Sequence, residues 1–192
     1  MGRLAIVVPC YNEAKSLHFL YAELKALMDE EKGYNWEVLF VNDGSRDNTL
    51  DIIRDLQSRD KRICFVDLSR NFGKENAMLA GFDYATGDCV VILDADLQDP
   101  PSLIPSMLKE WEEGYDDVYA KRLNRGKESW LRKRLSLLFY SILQHSTKFE
   151  ILKNVGDFRL LDRRCIDTLK ELRESERYTK GMFCWIGFRK KE

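Results

Sequence analysis

The most strand-like part of this sequence is Cys89-Val90-Val91-Ile92-Leu93-Asp94-Ala95-Asp96, where an unbroken apolar run leads into an acidic turn. A short apolar run rich in β-branched residues is typical of a strand that is buried on both faces of a parallel sheet. We therefore predict a central strand over Cys89 to Leu93. Ligands of open α/β sheets bind beyond the carboxyl ends of such strands, which makes the acidic turn a candidate site.

Further apolar runs alternate with segments of helical period, which is the pattern of an α/β fold. The other predicted strands are Leu4 to Val8, Trp36 to Val41, Ile63 to Leu68 and Val118 to Ala120. The predicted helices run from about Glu13 to Met28, from Asp47 through Leu56, from Glu75 to Ala85, and from Asp99-Pro100-Pro101 through Trp111. Phe158 to Leu161 and Ile166 to Leu172 are not assigned to an element. The predicted fold class is α/β, with a mainly parallel central sheet flanked by helices.

Length and charge limit the class of protein. The chain has 192 residues, which suits one domain, and 44% of them are hydrophobic, enough for a buried sheet. Lys and Arg number 31 against 32 Asp and Glu, and the net charge of -1 excludes binding to nucleic acid by bulk attraction. The five cysteines form no C-x-x-C pair, which favours reduced thiols over a disulfide framework or a zinc site. No apolar run approaches the ~18 residues of a membrane span, and Met1-Gly2-Arg3 lacks the features of a signal peptide.

Polar residues follow three of the predicted strands and would meet at one edge of the sheet. They lie in Pro9-Cys10-Tyr11-Asn12-Glu13, in Asn42-Asp43-Gly44-Ser45 and in Asp94-Ala95-Asp96-Leu97-Gln98. The sequence contains neither a G-x-G-x-x-G fingerprint nor a phosphate-binding P-loop. Asp43 is placed to accept hydrogen bonds from a base or ribose and Tyr11 to stack on a ring, although Asp-Gly-Ser is also a common turn.

The third of these strand ends carries the ligand types of a hard metal ion. Asp94 and Asp96 supply carboxylates and Gln98 an amide oxygen, which suit Mg²⁺ or Mn²⁺ shared with the phosphates of a substrate. The alternative is that Asp96 or Asp99 only caps the helix that begins near Pro100.

A basic segment follows the last predicted strand. Residues 121–134 contain seven Lys or Arg against the single acid Glu128, and Leu135 to Leu143 is mostly apolar. A run of charge is commonly a solvated face, but positive charge followed by apolar surface also suits an anionic membrane. We predict a membrane-facing segment at about residues 121–145.

Five motifs, in order, resemble those of family 2 glycosyltransferases, and within them the polyprenyl-phosphate group that includes bactoprenol glucosyltransferases and dolichol-phosphate mannosyltransferases. They are Val8 to Glu13, Val41 to Asp47, Ser69 to Glu75, Asp94 to Pro101 and Gly156 to Arg163. The resemblance runs from Ile6 to Phe188 and implies one GT-A catalytic domain over residues 1–192, with a Rossmann-like sheet. It also implies transfer of a hexose, with inversion, from a nucleoside diphosphate sugar to a polyprenyl phosphate at the cytoplasmic face of the membrane.

The resemblance assigns roles to individual positions. The nucleotide would be held by Pro9, Tyr11, Glu13, Asp43, Gly73, Lys74, Asp94, Ala95, Arg177 and Lys180. The divalent metal, Mg²⁺ or Mn²⁺, would be held by Asp94, Asp96 and Gln98. The acceptor phosphate would be gripped by Arg122, Arg132, Lys133, Arg134 and Ser136. The catalytic residues would be Asp157, near the reacting centre, and Asp96.

Several alternatives stay open at this stage. Bacterial relatives usually continue into C-terminal transmembrane helices, so we expect this chain, which ends soon after Trp185-Ile186-Gly187-Phe188, to be the catalytic part without that region. UDP-glucose is the expected donor because the bacterial relatives use it most often. A polysaccharide hydroxyl is the alternative acceptor, and a nucleotide-binding module without turnover or a nucleotidyltransferase is the alternative class. The sequence leaves open whether the chain forms a homo-oligomer.

Overall fold

One seven-stranded sheet organises the residues that the computed structural model describes, which are 2–121, 155–174 and 178–192. The strands are β1 (Gly2–Cys10), β2 (Tyr34–Asn42), β3 (Ile63–Asp67), β4 (Cys89–Ile92), β5 (Asp117–Lys121), β6 (Val155–Asp162) and β7 (Lys190–Lys191). Their order across the sheet is β3-β2-β1-β4-β6-β5-β7. Strands β1 to β4 are all parallel, whereas β6 is antiparallel to both β4 and β5. The predicted mainly parallel α/β sheet is confirmed.

Helices cover both faces of the sheet. They are α1 (Leu17–Glu30), α2 (Thr49–Arg59), α3 (Lys74–Tyr84), α4 (Ile104–Glu112) after a 3₁₀ turn at Pro101–Leu103, α5 (Arg163–Glu171) and α6 (Thr179–Trp185). Strand residues alternate between the two faces. Ile6 of β1 packs in the core formed with α1, α2 and α4, and its neighbour Val7 packs in the core formed with α3, α5 and α6.

Helix α1 begins at Leu17 and not at about Glu13, so the predicted start was wrong. The backbone N–H of Glu13 donates to Thr49 Oγ1 at 2.8 Å, and that of Ala14 donates to the Asp47 carboxylate at 3.2 Å. These bonds tie Glu13 and Ala14 to Asp47 and Thr49, which follow β2. The N–H groups of Ser16 and Leu17 donate to the Glu13 carbonyl at 3.1 and 3.2 Å, so these residues form a turn that leads into the helix.

Strand β6 contains the unassigned run Phe158 to Leu161 and gives the sheet its antiparallel part. Its register with β4 pairs Cys89 with Asp162 and Ile92 with Arg159. Continued two residues beyond the end of β4, the same register sets Asp94 opposite Asp157. Because β6 runs antiparallel to β4, its first residues arrive at the edge where the parallel strands end.

Helix α3 lies close against the sheet because of a glycine. A Cβ on Gly81 would lie 2.3 Å from Val7 Cγ1, so a larger residue would push the helix away from β1. The close contact places Lys74, the first residue of α3, at the same edge of the sheet as the strand ends.

The predicted membrane-facing segment lies almost wholly outside the described residues, with only Lys121 inside them. Within the described ranges, no helix combines the length and apolar character needed to cross a membrane.

Candidate active site

The carboxyl ends of β1, β2 and β4 surround one cavity of about 340 Å³. Its wall includes eight of the predicted site residues, Pro9, Tyr11, Glu13, Asp43, Lys74, Asp94, Ala95 and Asp96. Cys10, Asn71 and Ala77 complete the wall and were not among the predicted site residues. A cavity of this size at the ends of parallel strands is typical of a small-molecule site in an α/β fold.

The loop after β1 is fastened to the loop after β2 by Asn12. Its side-chain oxygen accepts from the N–H of Arg46 at 2.8 Å, and its own N–H donates to Ser45 Oγ at 3.0 Å. Asn12 has φ +58°, a left-handed conformation that asparagine tolerates better than most residues. These bonds join the two loops along this side of the cavity.

Asp43 fastens a third loop, residues 69–74, to the same edge. The residue is 2% exposed, and its carboxylate accepts from the N–H of Phe72 at 2.7 Å and from that of Gly73 at 2.9 Å. Gly44 follows with φ +64°, and a Cβ there would lie 2.3 Å from the carbonyl carbon of Arg70. Asp43 therefore positions the loop that leads into α3, a contact that the turn motif alone did not reveal.

Lys74 joins the cavity to Asp157. Its Nζ lies 2.6 Å from Asp94 Oδ1 and 2.6 Å from Asp157 Oδ2, so one ammonium bridges the two carboxylates that the β4–β6 register brings together. Among the described residues, the buried Asp157 Oδ1 has no hydrogen-bond partner, and Lys180 Nζ is 3.8 Å from it. Lys74 thus engages one oxygen of Asp157, and Lys180 lies within ion-pair distance of the other.

Charge fixes the protonation states of this bridge. Burial raises the pKa of Asp157, but the positive charges of Lys74, Lys180 and Arg159 outweigh it and hold the pKa below its usual range. Burial lowers the pKa of Lys74, but Asp157 and Asp94 outweigh it and hold that pKa above its usual value. Both groups are therefore charged at neutral pH, and Asp157 is a weaker base than an ordinary carboxylate.

A buried ion pair supports Asp157 from inside the sheet. Arg159 and Asp117 are 2% and 0% exposed, and Arg159 Nη1 donates to the two oxygens of Asp117 at 3.1 and 3.0 Å. The guanidinium also lies 3.8 Å from the centre of the Phe183 ring in α6. Sequence reasoning missed this pair, although an arginine inside the apolar run Phe158 to Leu161 was the available signal.

The acidic turn after β4 provides oxygen ligands but not a complete metal site. Asp96 is exposed, its carboxylate accepts from the N–H of Gln98 at 3.1 Å, and Leu97 between them has φ +61°. The N-caps of the next helical turns are Pro100 and Leu103, so neither Asp96 nor Asp99 holds an N-cap position and that alternative is wrong.

The oxygen ligands of this turn suit a metal ion that takes its remaining ligands from a bound substrate and water. In the described ranges, no three His, Cys, Asp or Glu side chains converge to hold a metal by themselves. Two carboxylates and an amide fit Mg²⁺ or Mn²⁺ that takes its other oxygens from a bound phosphate and water. Burial, with the charges of Glu13 and Asp94, raises the pKa of the Cys10 thiol, which disfavours the thiolate that a metal would need.

The remaining predicted residues fall into two groups. Gly73 caps α3 with φ +90°, Gln98 is exposed outside the cavity wall, and Lys180 reaches Asp157 from α6. Arg122, Arg132, Lys133, Arg134, Ser136 and Arg177 lie outside the described residues.

Solved structures with the same arrangement identify the class of fold. The mannosyltransferase PcManGT from Pyrobaculum calidifontis, solved in complex with GDP-Man and Mn²⁺, superposes with a TM-score of 0.66. The match covers 98% of this chain and 54% of that one at 21% sequence identity, a level at which the likeness shows the fold alone. The fold is GT-A, as expected from the resemblance.

Sequence comparison identifies the family. Residues 5–170 match the family described as glycosyl transferase family 2, and the chain belongs to it. It is 45% identical over 185 residues to the uncharacterized glycosyltransferase YkcC of Bacillus subtilis (strain 168), covering 96% of this chain and 57% of that protein. It is 37% identical over 185 residues to the prophage bactoprenol glucosyl transferase homolog of Escherichia coli (strain K12), covering 96% and 60%. The chain thus spans somewhat more than half the length of these relatives.

Proposed function

We propose that this chain is the catalytic domain of a metal-dependent, inverting hexosyltransferase. Its proposed donor is a nucleoside diphosphate sugar, UDP-glucose in the first instance, and its proposed acceptor is a polyprenyl phosphate at the cytoplasmic face of the membrane. The observation that carries the proposal is the bridge of Lys74 between Asp94 in the cavity wall and Asp157 beside it. The bridge joins a cavity of about 340 Å³ to a second pair of charged groups, Asp157 and Lys180, so that a donor in the cavity and an acceptor beside it would occupy neighbouring positions.

The relatives support both substrates. The name of the Escherichia coli relative specifies bactoprenol and glucose, and PcManGT was solved with a nucleotide sugar and Mn²⁺. We extend these substrate classes to this chain because the predicted donor residues line one cavity in it.

The donor side offers separate contacts for the base, the ribose and the diphosphate of the nucleotide. Tyr11 is 42% exposed in the cavity wall and offers a ring for stacking against the base. Each carboxylate oxygen of Asp43 accepts one backbone N–H, which leaves further lone pairs for a hydrogen-bond donor of the base or ribose. Asp94, Asp96 and Gln98 would hold the metal, whose charge stabilises the leaving diphosphate when it is bound.

The acceptor side suits a phosphate better than a hydroxyl. An oxygen of the acceptor phosphate attacks the anomeric carbon while the bond from that carbon to the donor phosphate oxygen breaks, and the nucleoside diphosphate leaves with the electron pair. A phosphate monoester has a second pKa of about 6, is mostly ionised at neutral pH and needs no base. The Lys74-paired Asp157 is a weak base, so we assign it an orienting role.

Nucleotide binding tests the donor site directly. UDP and GDP are titrated calorimetrically into the protein with Mn²⁺ or Mg²⁺ and again with a chelator, with Asp96→Ala as the variant. We expect metal-dependent binding of one nucleotide, which names the donor class, and its loss in Asp96→Ala. Absence of binding by either nucleotide to the folded protein would contradict the donor-site proposal for this chain.

The acceptor class is tested by Asp157→Asn. With polyprenyl phosphate as acceptor we expect measurable turnover, because the amide keeps the shape of the side chain and no proton has to be abstracted. The assay measures transfer of the sugar to the lipid and, in parallel, release of the nucleoside diphosphate. Complete loss of turnover in a variant that folds and binds nucleotide normally would favour a general base and a hydroxyl acceptor.

A further inference from the structure

Lys74 takes the place that a cation would take between the two carboxylates. We propose that Lys74 is a built-in counter-cation that keeps a divalent metal off Asp94 until a nucleoside diphosphate is bound. The proposal rests on the proposed function, since it concerns the same donor site. It makes Lys74 a positioning residue that sets the order in which metal and donor are taken up.

Charge balance is the physical reason. With Lys74 between them, Asp94 and Asp157 carry one net negative charge, and the ammonium touches both at 2.6 Å. A divalent cation on Asp94 would then stand beside an ammonium, and the two would repel. A diphosphate brings roughly two to three negative charges, which attract both the metal and the ammonium and remove this penalty.

The bridge is partly shielded from solvent, so it is stronger than an ordinary surface pair. The side chains of Asp157 and Asp94 are 11% and 25% exposed, and that of Lys74 is 41% exposed. Screening by salt is weaker for partly buried pairs than for exposed ones. The ammonium is thus a real competitor for Asp94.

The position of Lys74 is also controlled from the nucleotide side. Gly73, its neighbour, donates its N–H to the buried Asp43 carboxylate, which lines the cavity. A nucleotide in the cavity therefore contacts the same loop that aims Lys74. The ammonium can move from Asp94 towards a bound diphosphate while its other contact, Asp157 Oδ2, is kept.

Binding of Mn²⁺ measured by electron paramagnetic resonance tests the proposal without any turnover. Wild-type protein, Lys74→Met and Lys74→Arg are titrated with Mn²⁺ alone and with Mn²⁺ plus UDP or GDP. We expect Lys74→Met to bind Mn²⁺ alone about tenfold more tightly than wild type, and Lys74→Arg to stay near wild type because it keeps the charge. The gain in Mn²⁺ affinity produced by the nucleotide should be smaller in Lys74→Met.

Lys180→Met is the matched control for a general loss of positive charge. Lys180 lies 3.8 Å from Asp157 Oδ1, and no contact with Asp94 is seen in the described part of the chain. Its removal should tighten Mn²⁺ binding much less than removal of Lys74. Equal tightening in the two variants would overturn the proposal, because it would show a diffuse effect of charge.

Two further outcomes separate this proposal from the proposed function. Equal Mn²⁺ affinity of wild type and Lys74→Met, with nucleotide binding intact, would overturn the role of Lys74 and leave the donor site standing. Failure of the wild type to bind Mn²⁺ even with UDP or GDP would overturn both. Circular dichroism and thermal unfolding establish that each variant is folded.

Discussion

One buried carboxylate, Asp43, links the end of β2 to the loop that leads into α3. It holds the N–H groups of Phe72 and Gly73, and the next residue in the chain is Lys74. A side chain predicted to recognise a nucleotide therefore also fixes the loop that carries the bridging ammonium. A single substitution here should disturb binding and stability together.

We expect Asp43→Asn to weaken both. The amide has one carbonyl oxygen, so its NH₂ group would face a backbone N–H, and a buried donor left unpaired costs about 1–3 kcal/mol. The free energy of unfolding in urea should fall by about that amount, and affinity for the nucleotide should fall about tenfold. Asp51→Asn, at a side chain that is 78% exposed on α2, is the control. Nucleotide affinity that is unchanged by Asp43→Asn would argue against the role of this loop.

Residues at the ends of strands were predictable, and the bridge between them was not. Asp43, Asp94 and Asp96 come shortly after apolar runs, so their meeting at one edge follows from the parallel sheet. The contact between Lys74 and Asp157 spans 83 positions in the chain and depends on an antiparallel pairing that no local pattern encodes.

The connection between α2 and β3 carries an ion pair that should make the stability of the protein depend on pH. Arg62 Nη2 donates to Asp60 Oδ2 at 2.7 Å, and the Tyr21 hydroxyl donates to the same oxygen at 3.2 Å. Hydrogen bonds from Arg62 lower the pKa of Asp60 to about 2, against about 3.9 for an unfolded chain. A lowered pKa contributes stability above the unfolded value, and that stability is lost as the pH falls towards the folded one.

The lowered pKa of Asp60 predicts how the free energy of unfolding changes in acid. From about pH 4 towards pH 2 the free energy of unfolding should fall less steeply in Asp60→Asn than in wild type, because the variant has no carboxylate to protonate. Near neutral pH the variant should be less stable, since it loses the paired charge. Urea unfolding at pH 7, 4 and 3 gives both comparisons. If the free energy of unfolding falls equally steeply with pH in the two proteins, the pair of Asp60 and Arg62 is not responsible for the loss of stability in acid.

Elements were predicted best where local pattern and tertiary contacts agree. Strand β4 and the buried face of α4 match their apolar patterns, because their side chains pack where the period directs them. The start of α1 was missed because Thr49 and Asp47 hold the preceding turn. Strand β6 was missed because a buried Arg159 breaks the apolar run, and the Asp117 carboxylate that pairs with it lies on another strand.

At the scale of the whole molecule, the sequence predicts binding to a membrane surface. The charge is nearly balanced, with 31 basic and 32 acidic residues, but residues 121–134 are strongly basic. We expect co-sedimentation with liposomes that contain anionic lipid, weaker with neutral lipid and at high salt. Replacement of Arg132, Lys133 and Arg134 by alanine together should reduce the bound fraction. Failure to bind either kind of liposome would exclude this surface role for the chain.

The late position of β6 in the chain has a consequence for the order in which the residues of the site are synthesised. Synthesis proceeds from the N-terminus, and contacts between distant parts of a chain form slowly because a long loop must close first. Every residue of the cavity wall lies between Pro9 and Asp96, whereas Asp157 arrives with a strand translated much later. On the proposed function, a growing chain assembles its pocket for the sugar nucleotide before it acquires the carboxylate beside it.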